Sequence, residues 1–348
     1  MKIRLGVDAV LVGSRVVAVR IFTARDAPER PLSGERVSVI GYGNLGRTAA
    51  LNLRDSGARV RVGNVDDAYA TQARADGFDV VSVRTAAEDD VVYALLPDEV
   101  MPDVFPRDVS PGLRPRAAVA FASGYCLAYR LVTPPAGVDV LLVAPRMGGE
   151  AARARYTSGH GFWAYVGVEH DASGTATNRM LGLAAGIGAL RAGALEMSAT
   201  TEATIDLFIE QSVGAILGAS MMTAFELGVE AGVPAEALVL EMYMSGEMES
   251  VFQAFRERGF FKASESHGPT ALFGGLARTM EIDREALSER FRVIREEIRS
   301  GQFAQRFQDE RAAGYPMLEI ARQMIHVPSP ISEAEERVRA ATQRRGDD

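Results

Sequence analysis

Three glycines in the spacing Gly41-x-Gly43-x-x-Gly46 constrain this chain more than any other feature of its sequence. A short β-branched run over residues 37–40 precedes them, and a helix-like segment over residues 47–54 comes after them. In a strand, turn and helix of this kind, the first glycine takes the turn conformation, the second lets the backbone approach a pyrophosphate, and the third lets the helix pack closely. The motif therefore predicts a dinucleotide-binding site.

A regular alternation of strand and helix patterns extends from residue 36 to about 195 and predicts an open parallel sheet. The predicted strands are 37–40, 58–62, 80–83, 91–96 and 118–122, and further apolar runs cover 138–143 and 162–168. The predicted helices are 44–55, 68–75, 85–89 and one from about 175. Two earlier apolar runs, 9–12 and 16–21, have no assigned role. We expect a Rossmann-type dinucleotide-binding domain with an N-terminal extension over residues 1–195.

Long helical patterns replace the alternation after residue 195. The candidate helices are 200–230, 234–257, 269–299, 302–313 and 315–325, and a Pro-Ser-Pro sequence comes after the last of them. We therefore expect residues 196–348 to form a second, all-α domain. A chain of 348 residues fits two domains better than one core.

The composition excludes several classes of protein. A net charge of -8 argues against nucleic acid as a partner, because neutralising phosphates needs a basic face. Cys126 is the only cysteine, so an intramolecular disulfide cannot form and a reducing cytoplasm fits. We find neither a signal peptide nor an uninterrupted apolar stretch of about 18 residues, and we expect a cytoplasmic protein without a membrane partner.

The loop after the second strand of the glycine-motif unit is expected to lie near the adenosine ribose of the cofactor. Asp66 or Asp67 could accept hydrogen bonds from ribose hydroxyls and repel a 2′-phosphate, which favours NADH over NADPH. Arg47, Arg61 or Arg74 could fold back and reverse this preference. The alternative is a solvated turn whose aspartates only cap a helix.

Many separate motifs, in one order, resemble those of the ketol-acid reductoisomerases in their short-chain form. The resemblance covers nearly the whole chain after about residue 21 and rests on residues 39–46, 51–57, 95–99, 143–145, 171–174, 186–188, 191–193, 206–211 and 230–232. It implies a dinucleotide-binding domain followed by a helical, knotted domain that pairs with a second subunit. It also implies conversion of acetohydroxy acids to dihydroxy acids with Mg²⁺ and NADH or NADPH.

The resemblance also assigns residues to the site. Asp206 and Glu210, four apart on a predicted helix, match the positions of two metal ligands, and Glu241 matches a third that can come from the partner subunit. In a reductase, Asp206 and Glu210 could instead act directly as acid, base or iminium-stabilising carboxylates. Ser123 and Arg146 fall at positions facing nicotinamide and substrate. The residues expected to contact the cofactor are Gly41, Tyr42, Gly43, Asn44, Leu45, Gly46, Asn64, Asp66, Leu96, Pro97, Ser123 and Gly124.

Three positions depart from the family pattern. Ser123 stands where the family usually has histidine, and serine cannot titrate near neutral pH. Arg146 stands where the family usually has lysine; arginine can clamp a carboxylate but is a poor proton donor. Ser245 falls on the position of a fourth metal ligand, and Glu247 replaces it only if a bulge near Gly246 rotates the helix. Without the bulge, the second Mg²⁺ should bind weakly or not at all.

These departures lead to a main hypothesis and two alternatives. The main hypothesis is a reductase that transfers hydride from NAD(P)H to a 2-oxo acid or an imine, with little or no isomerase activity, in specialised metabolism. The first alternative is a true ketol-acid reductoisomerase that converts 2-acetolactate to 2,3-dihydroxyisovalerate in branched-chain amino acid biosynthesis. The second is a non-catalytic dinucleotide-binding protein. Tyr125 and Tyr243 are additional candidates for proton donors, with packing as the alternative.

Broad apolar stripes on the predicted helices 200–257 indicate an oligomer. They include Leu207, Phe208, Val213, Ile216, Leu217, Met221 and Met222. This is more apolar surface than one small helical domain covers. We expect a homodimer or a higher homo-oligomer that binds a small-molecule substrate.

Overall fold

A mixed nine-stranded sheet organises the first part of the chain, in the order β1-β9-β8-β7-β6-β5-β2-β3-β4. The computed structural model describes residues 19–29 and 32–343, so the apolar run 9–12 lies outside the described residues. The strands are β1 (Ile21–Phe22), β2 (Arg36–Ile40), β3 (Arg59–Gly63), β4 (Val80–Val81), β5 (Val91–Ala94), β6 (Ala118–Phe121), β7 (Asp139–Pro145), β8 (Trp163–His170) and β9 (Gly193–Glu196).

Six of these strands, in the order β4-β3-β2-β5-β6-β7, run parallel and form the predicted Rossmann-type sheet. All residues of β5 and β6 are buried, as expected for strands covered on both faces. Strand β8 then runs antiparallel to β7, β9 parallel to β8, and β1 antiparallel to β9. The chain moves outward in opposite directions from β2 and β5, which leaves a crevice between the loops at the ends of these two strands.

Helices connect the strands, and the first two have the predicted bounds. They are α1 (Asn44–Asp55), α2 (Ala68–Ala75), α3 (Val83–Ala86), α4 (Met101–Val104), α5 (Tyr125–Ala128), α6 (Gly149–Thr157), α7 (Ala176–Gly186) and α8 (Ala199–Ile209). The predicted helix 85–89 begins earlier, because the Ser82 hydroxyl caps α3 by accepting a hydrogen bond from the backbone N–H of Thr85.

The rest of the described chain, up to residue 343, is helical, as predicted, with several different bounds. Its helices are α9 (Ala215–Glu230), α10 (Ala235–Val239), α11 (Glu247–Arg258), α12 (Pro269–Glu281), α13 (Arg284–Arg299), α14 (Gln302–Ala312), α15 (Pro316–His326) and α16 (Pro330–Gln343). Predicted helix 269–299 is two helices, because the Asp283 carboxylate caps α13 and starts a new one. Helix α16 was not predicted. Pro330 is its first residue, a position where proline is tolerated.

Two π-helical turns interrupt the helices of this second part. Glu210–Gly214 lies between α8 and α9, and Leu240–Met244 comes directly after α10. Gly246 then adopts a left-handed conformation with φ of 83°, and α11 restarts at Glu247. The predicted helix 234–257 is therefore divided, since a wide turn and a left-handed residue both break the regular hydrogen-bond ladder.

The chain divides into two compact units, one ending at Ala203 and the other beginning at Thr204, eight residues beyond the predicted 195/196 boundary. The first turn of α8 belongs with the sheet for a physical reason. The Ala199 N–H donates to the Glu169 carboxylate on β8 at 2.6 Å, and Glu202 is 1% exposed. The sheet unit therefore includes residues that the sequence pattern assigned to the helical one.

The continuous helical segment Ala199–Glu230 is long and apolar enough to cross a membrane, judged by length and composition alone. The most apolar 18-residue stretch of this segment has a mean hydropathy of 1.4, and 11% of that stretch is buried. The sequence predicted no such segment, and a single one is a weak indication. The carboxylates of Glu202, Asp206 and Glu210 on this segment are costly in a bilayer, and its exposed apolar side chains equally fit a protein interface.

Asp139, at the start of β7, holds together several parts of the sheet unit. Its fully buried carboxylate accepts hydrogen bonds from the N–H groups of Ala172 at 2.9 Å and Ser173 at 2.8 Å, and from Arg179 Nη1 at 3.0 Å. Removing a buried carboxylate leaves all of these donors without their acceptor.

We therefore expect Asp139→Ala to lower the free energy of unfolding by about 3 kcal/mol, measured by urea denaturation. The exposed Asp79 provides a matched control, and Asp79→Ala should change stability by less than about 0.5 kcal/mol. Equal losses for the two variants would contradict the anchoring role of Asp139.

Candidate functional site

A groove of about 530 Å³ opens at the carboxyl ends of the parallel strands, where the strand order reverses between β2 and β5. The loops after β2, β3, β5 and β6 line it. The predicted cofactor-contacting residues among its lining are Gly41, Tyr42, Gly43, Asn44, Leu45, Gly46, Asn64, Leu96, Pro97 and Ser123. The prediction of a dinucleotide site from glycine spacing thus coincides with an actual crevice.

The three glycines have the geometry that a bound pyrophosphate requires. Gly41 has φ of +92°, and a Cβ atom there would lie 2.6 Å from the carbonyl oxygen of Leu95. At Gly46 a Cβ would lie 2.0 Å from the carbonyl oxygen of Gly41. Gly43 has no neighbouring atom within 4 Å of such a Cβ, so the backbone faces open space at the start of α1. The residues present fit a dinucleotide phosphate at this helix N-terminus.

The loop after β3 is held by side-chain hydrogen bonds. Asn64 Oδ1 accepts from the backbone N–H of Tyr42 at 3.2 Å, and Asn64 Nδ2 donates to the Asp67 carboxylate at 2.8 Å. Asp67 also accepts from the N–H of Ala70 at 2.9 Å and is the N-cap of α2. Asp67 therefore caps α2, as one alternative expected, and it also lines the groove. Asp66 is 88% exposed and lines a neighbouring cavity.

The three arginines considered as partners of a 2′-phosphate are each bound to a carboxylate. Arg74 pairs with Asp66 at 3.1 Å. Arg61 makes two hydrogen bonds, at 2.6 and 2.9 Å, to the fully buried Asp89. The third, Arg47, binds a carboxylate in the turn after α2. In this structure each of the three guanidinium groups is therefore held by a carboxylate.

The end of the groove near Ser123 is organised by a carboxylate that sequence reasoning missed. Glu202 Oε2 accepts from the backbone N–H of Gly124 at 2.6 Å, and Glu202 Oε1 lies 2.9 Å from Nη1 of Arg146. Ser123 Oγ accepts from the N–H of Tyr125 at 3.2 Å, which starts the short helix α5. Gly124 does not line the groove but touches α8, where a Cβ would lie 2.0 Å from the Ala199 carbonyl oxygen.

A buried carboxylate such as Glu202 requires a cation, and Arg146 supplies it. The Arg146 guanidinium also lies 4.7 Å from the ring centroid of Tyr165, and its backbone N–H donates to the Trp163 carbonyl. The sequence contained a signal for Glu202, because it extends the four-residue spacing of Asp206 and Glu210 by one step toward the N-terminus. The pairing partner could not be inferred from that spacing.

The three predicted metal ligands lie in the helical unit. Asp206 is half-buried on α8, Glu210 is exposed and opens a π turn, and Glu241 is exposed within the second π turn. Asp206 and Glu210 remain four residues apart on one helix, so their carboxylates share a face. Among the described residues, no group of three or more Asp, Glu, His or Cys side chains is placed to hold a metal ion.

The break at Gly246 changes the geometry expected for Glu241 and Glu247. Because the π turn and the left-handed Gly246 separate the two glutamates, they lie on different helical segments. The rotation of a regular helix, about 240° over six residues, does not apply to them. Ser245 Oγ accepts from the N–H of Glu247 at 3.3 Å and so contributes to the restart of the helix.

Tyr243, one of the two tyrosines considered as proton donors, is held by a carboxylate. The Tyr243 hydroxyl donates to Glu335 Oε1 at 2.6 Å, and burial together with this carboxylate raises the pKa of Tyr243 to about 12. Such a phenol is a poor acid near neutral pH. Burial also raises the pKa of the Cys126 thiol, beside the backbone and side-chain oxygens of Asp98.

Comparisons with known proteins match both units of the chain. The family described as "Acetohydroxy acid isomeroreductase, NADPH-binding domain" matches residues 31–193, and "Ketol-acid reductoisomerase, C-terminal domain" matches residues 200–344. A "Ketol-acid reductoisomerase (NADP(+))" of Pyrobaculum islandicum is 37% identical over 300 residues, covering 85% of this chain and 89% of that protein. A "Ketol-acid reductoisomerase (NAD(P)(+))" of Metallosphaera sedula is 36% identical over 303 residues, covering 86% and 90%.

A solved structure is similar over both units. It is an NADH-preferring ketol-acid reductoisomerase from an uncultured archean, with a TM-score of 0.87 and 30% sequence identity. The match covers 92% of this chain and 98% of that chain.

The close approach at Gly46 allows a test of the groove. We expect Gly46→Ala to weaken NADH binding by at least about 10-fold, because the added methyl group would separate α1 from the Gly41 carbonyl. Nicotinamide fluorescence measures the dissociation constant. Gly137→Ala, where a Cβ meets no atom within 4 Å, is the control and should bind NADH as the wild type does. Unchanged binding by Gly46→Ala would place the dinucleotide elsewhere.

Proposed function

Because the chain belongs to the ketol-acid reductoisomerase family, we propose that it converts an acetohydroxy acid such as 2-acetolactate into a 2,3-dihydroxy acid with NAD(P)H. One observation carries the proposal: a dinucleotide groove that ends at Ser123, next to the ion pair between the buried Glu202 and the exposed Arg146. The names of the relatives support the reductoisomerase alternative better than a reductase without isomerase activity. The chain is an NAD(P)-dependent oxidoreductase in either case.

The chain's own residues have separable tasks in this reaction. The glycine loop and α1 hold the pyrophosphate, and Leu96 and Pro97 line the path from the loop toward Ser123. The bound dinucleotide supplies the hydride. Glu202 fixes the backbone of Gly124 and the guanidinium of Arg146, so that the groove end and the cation keep one geometry. Arg146 provides positive charge for an anionic substrate.

Asp206 and Glu210 are the residues that would hold Mg²⁺. This ion takes one or two protein carboxylates and completes its shell with water and substrate oxygens, and a pair on one helix face meets that requirement. Bound Mg²⁺ would act as a Lewis acid on the substrate oxygens. Glu241, exposed on its π turn, is available to a site completed by a second subunit.

A second candidate function is a reductase of 2-oxo acids or imines without the isomerase step. Ser123 favours it, because this residue at the groove end cannot exchange a proton near neutral pH as histidine does. The pairing of Arg146 with Glu202 also favours it, because a guanidinium in place of an amine retains its proton. A non-catalytic dinucleotide-binding protein would retain the groove and lack turnover with both substrate classes.

Three further properties belong to this proposal. NADH is the preferred cofactor, supported by the exposed Asp66 and by arginines that are bound to carboxylates. The protein is a homodimer or a higher oligomer, supported by exposed apolar side chains on the segment Ala199–Glu230, such as Val213, Leu217 and Met222. It acts in the cytoplasm, with a small-molecule substrate and with neither a nucleic acid nor a membrane as partner.

Substrate comparison tests the reaction directly. We expect Mg²⁺-dependent oxidation of NADH with 2-acetolactate, because that substrate requires both the alkyl migration and the reduction. The product 2,3-dihydroxyisovalerate can be identified by mass spectrometry. The control substrate is 3-hydroxy-3-methyl-2-oxobutanoate, which requires only reduction. Turnover of this control, a 2-oxo acid or a cyclic imine without turnover of 2-acetolactate would contradict the proposal and favour the reductase.

The metal assignment leads to a separate prediction. Asp206→Asn should weaken Mg²⁺ binding by at least about 10-fold, measured by calorimetry, and lower turnover of 2-acetolactate in proportion. The exposed Glu226, further along the same helical segment, gives the control Glu226→Gln, for which we expect wild-type affinity. Wild-type Mg²⁺ affinity in Asp206→Asn would exclude this residue as a ligand.

A further inference from the structure

A second cavity of about 420 Å³ lies between the first turns of α1 and α2, beside the dinucleotide groove. The two cavities share Tyr42, Gly43, Asn44 and Tyr69. This position, beside the glycine loop and the start of the helix that follows β3, borders the groove in which the adenosine ribose of a dinucleotide is expected in a Rossmann-type domain. The second cavity is therefore placed to receive a group attached to the ribose 2′-oxygen.

Arg47 is the cationic residue lining this cavity, and Asp76 binds it in bidentate fashion. Arg47 Nε lies 2.7 Å from Asp76 Oδ2, and Arg47 Nη2 lies 3.2 Å from Asp76 Oδ1. The Tyr42 hydroxyl donates to Oδ2 at 2.9 Å, and Gln72 Nε2 donates to Oδ1 at 3.0 Å. Both carboxylate oxygens are thus occupied, and the Asp76 side chain is only 15% exposed.

The Asp76 carboxylate stays ionised at any working pH. Its hydrogen bonds from Arg47, followed by those from Tyr42 and Gln72, lower the pKa of Asp76 to about 2. The Arg47 guanidinium remains charged as well. The pair is therefore permanent near neutral pH, and a 2′-phosphate would have to compete with a fixed, partly enclosed carboxylate for the same guanidinium.

We propose that Asp76 is a positioning residue for cofactor choice, which holds Arg47 away from the ribose 2′-position and so favours NADH over NADPH. The exposed Glu150 also lines the cavity and adds negative charge there. The inference rests on the dinucleotide site of the proposed function and is independent of the substrate. Binding measurements without substrate therefore separate its failure from a failure of the proposed reaction.

The central experiment compares the dissociation constants of NADH and NADPH for the full chain and its Asp76→Asn variant, by nicotinamide fluorescence. Because Arg47 is released in this variant, NADPH should bind about 10-fold more tightly, while the dissociation constant of NADH should stay within about 2-fold of the wild-type value. The affinity for adenosine 2′,5′-bisphosphate should increase relative to that for AMP by the same factor. A loss of packing alone would change the affinities for both nucleotides of each pair by the same factor. An unchanged ratio of the NADPH and NADH dissociation constants overturns the proposal.

Further variants test whether the charge of Asp76 acts through Arg47. Asp76→Glu, which keeps the charge, should retain the wild-type ratio. In the double variant Arg47→Gln/Asp76→Asn, the increase in NADPH affinity should disappear. An increase that persists would show that the Asp76 charge acts without Arg47 and would overturn the proposal. Asp79→Asn removes one exposed carboxylate outside this network and should leave the ratio unchanged. A ratio that shifts equally in Asp79→Asn would reduce the effect to net charge and overturn the assignment.

The single variant Arg47→Gln keeps the proposal testable if Asp76→Asn does not fold. Because Arg47 is held away from the ribose in the wild type, its loss should change the affinities for NADPH and NADH by less than about 2-fold. A selective weakening of NADPH would show that Arg47 already contacts the 2′-phosphate and would overturn the proposal.

Discussion

The contact between α1 and the turn after β2 is the constraint on which the sheet unit depends. Gly46 allows the helix backbone to lie against the carbonyl of Gly41, and every other amino acid would separate the two. In that position α1 also binds the helices around it. Thr48 donates to the Gly149 carbonyl at 2.9 Å, and Asn52 donates to the Ile187 carbonyl at 3.0 Å. One close approach thus shapes the cofactor groove and joins α1 to α6 and the end of α7.

The parts of the fold predicted most accurately are those whose residues repeat with a clear period. The bounds of α1 and α2 were predicted, because apolar periodicity and glycine-rich turns mark both ends of each helix. The predicted helix bounds are wrong where one residue type can mark either the end or the start of a helix. Pro330 comes after a helix and was interpreted as its end, yet proline also starts helices, as it does in α16.

The candidate site was predictable only in part, for a related reason. Glycine spacing specifies the turn, the pyrophosphate position and the helix, since these depend on neighbouring residues. The role of Glu202 depends on contacts with residues 124 and 146, which are far away in the sequence. Hydrogen bonds across the sheet unit make this carboxylate important, and no local pattern specifies such partners. Asp67 shows the converse, because its capping contact is local and was among the expected alternatives.

The π turn at Leu240–Met244 affects how this sequence is compared with its relatives. A π turn accommodates one extra residue in a helix and rotates the next part of the helix by about 100° around the axis. Sequences with and without such a residue, aligned without a gap, pair side chains that point in different directions. Ser245 lies directly after this turn. Whether it is equivalent to the family glutamate therefore depends on whether the alignment includes a gap at the turn. Structural superposition, rather than alignment, identifies the residue that occupies the ligand position.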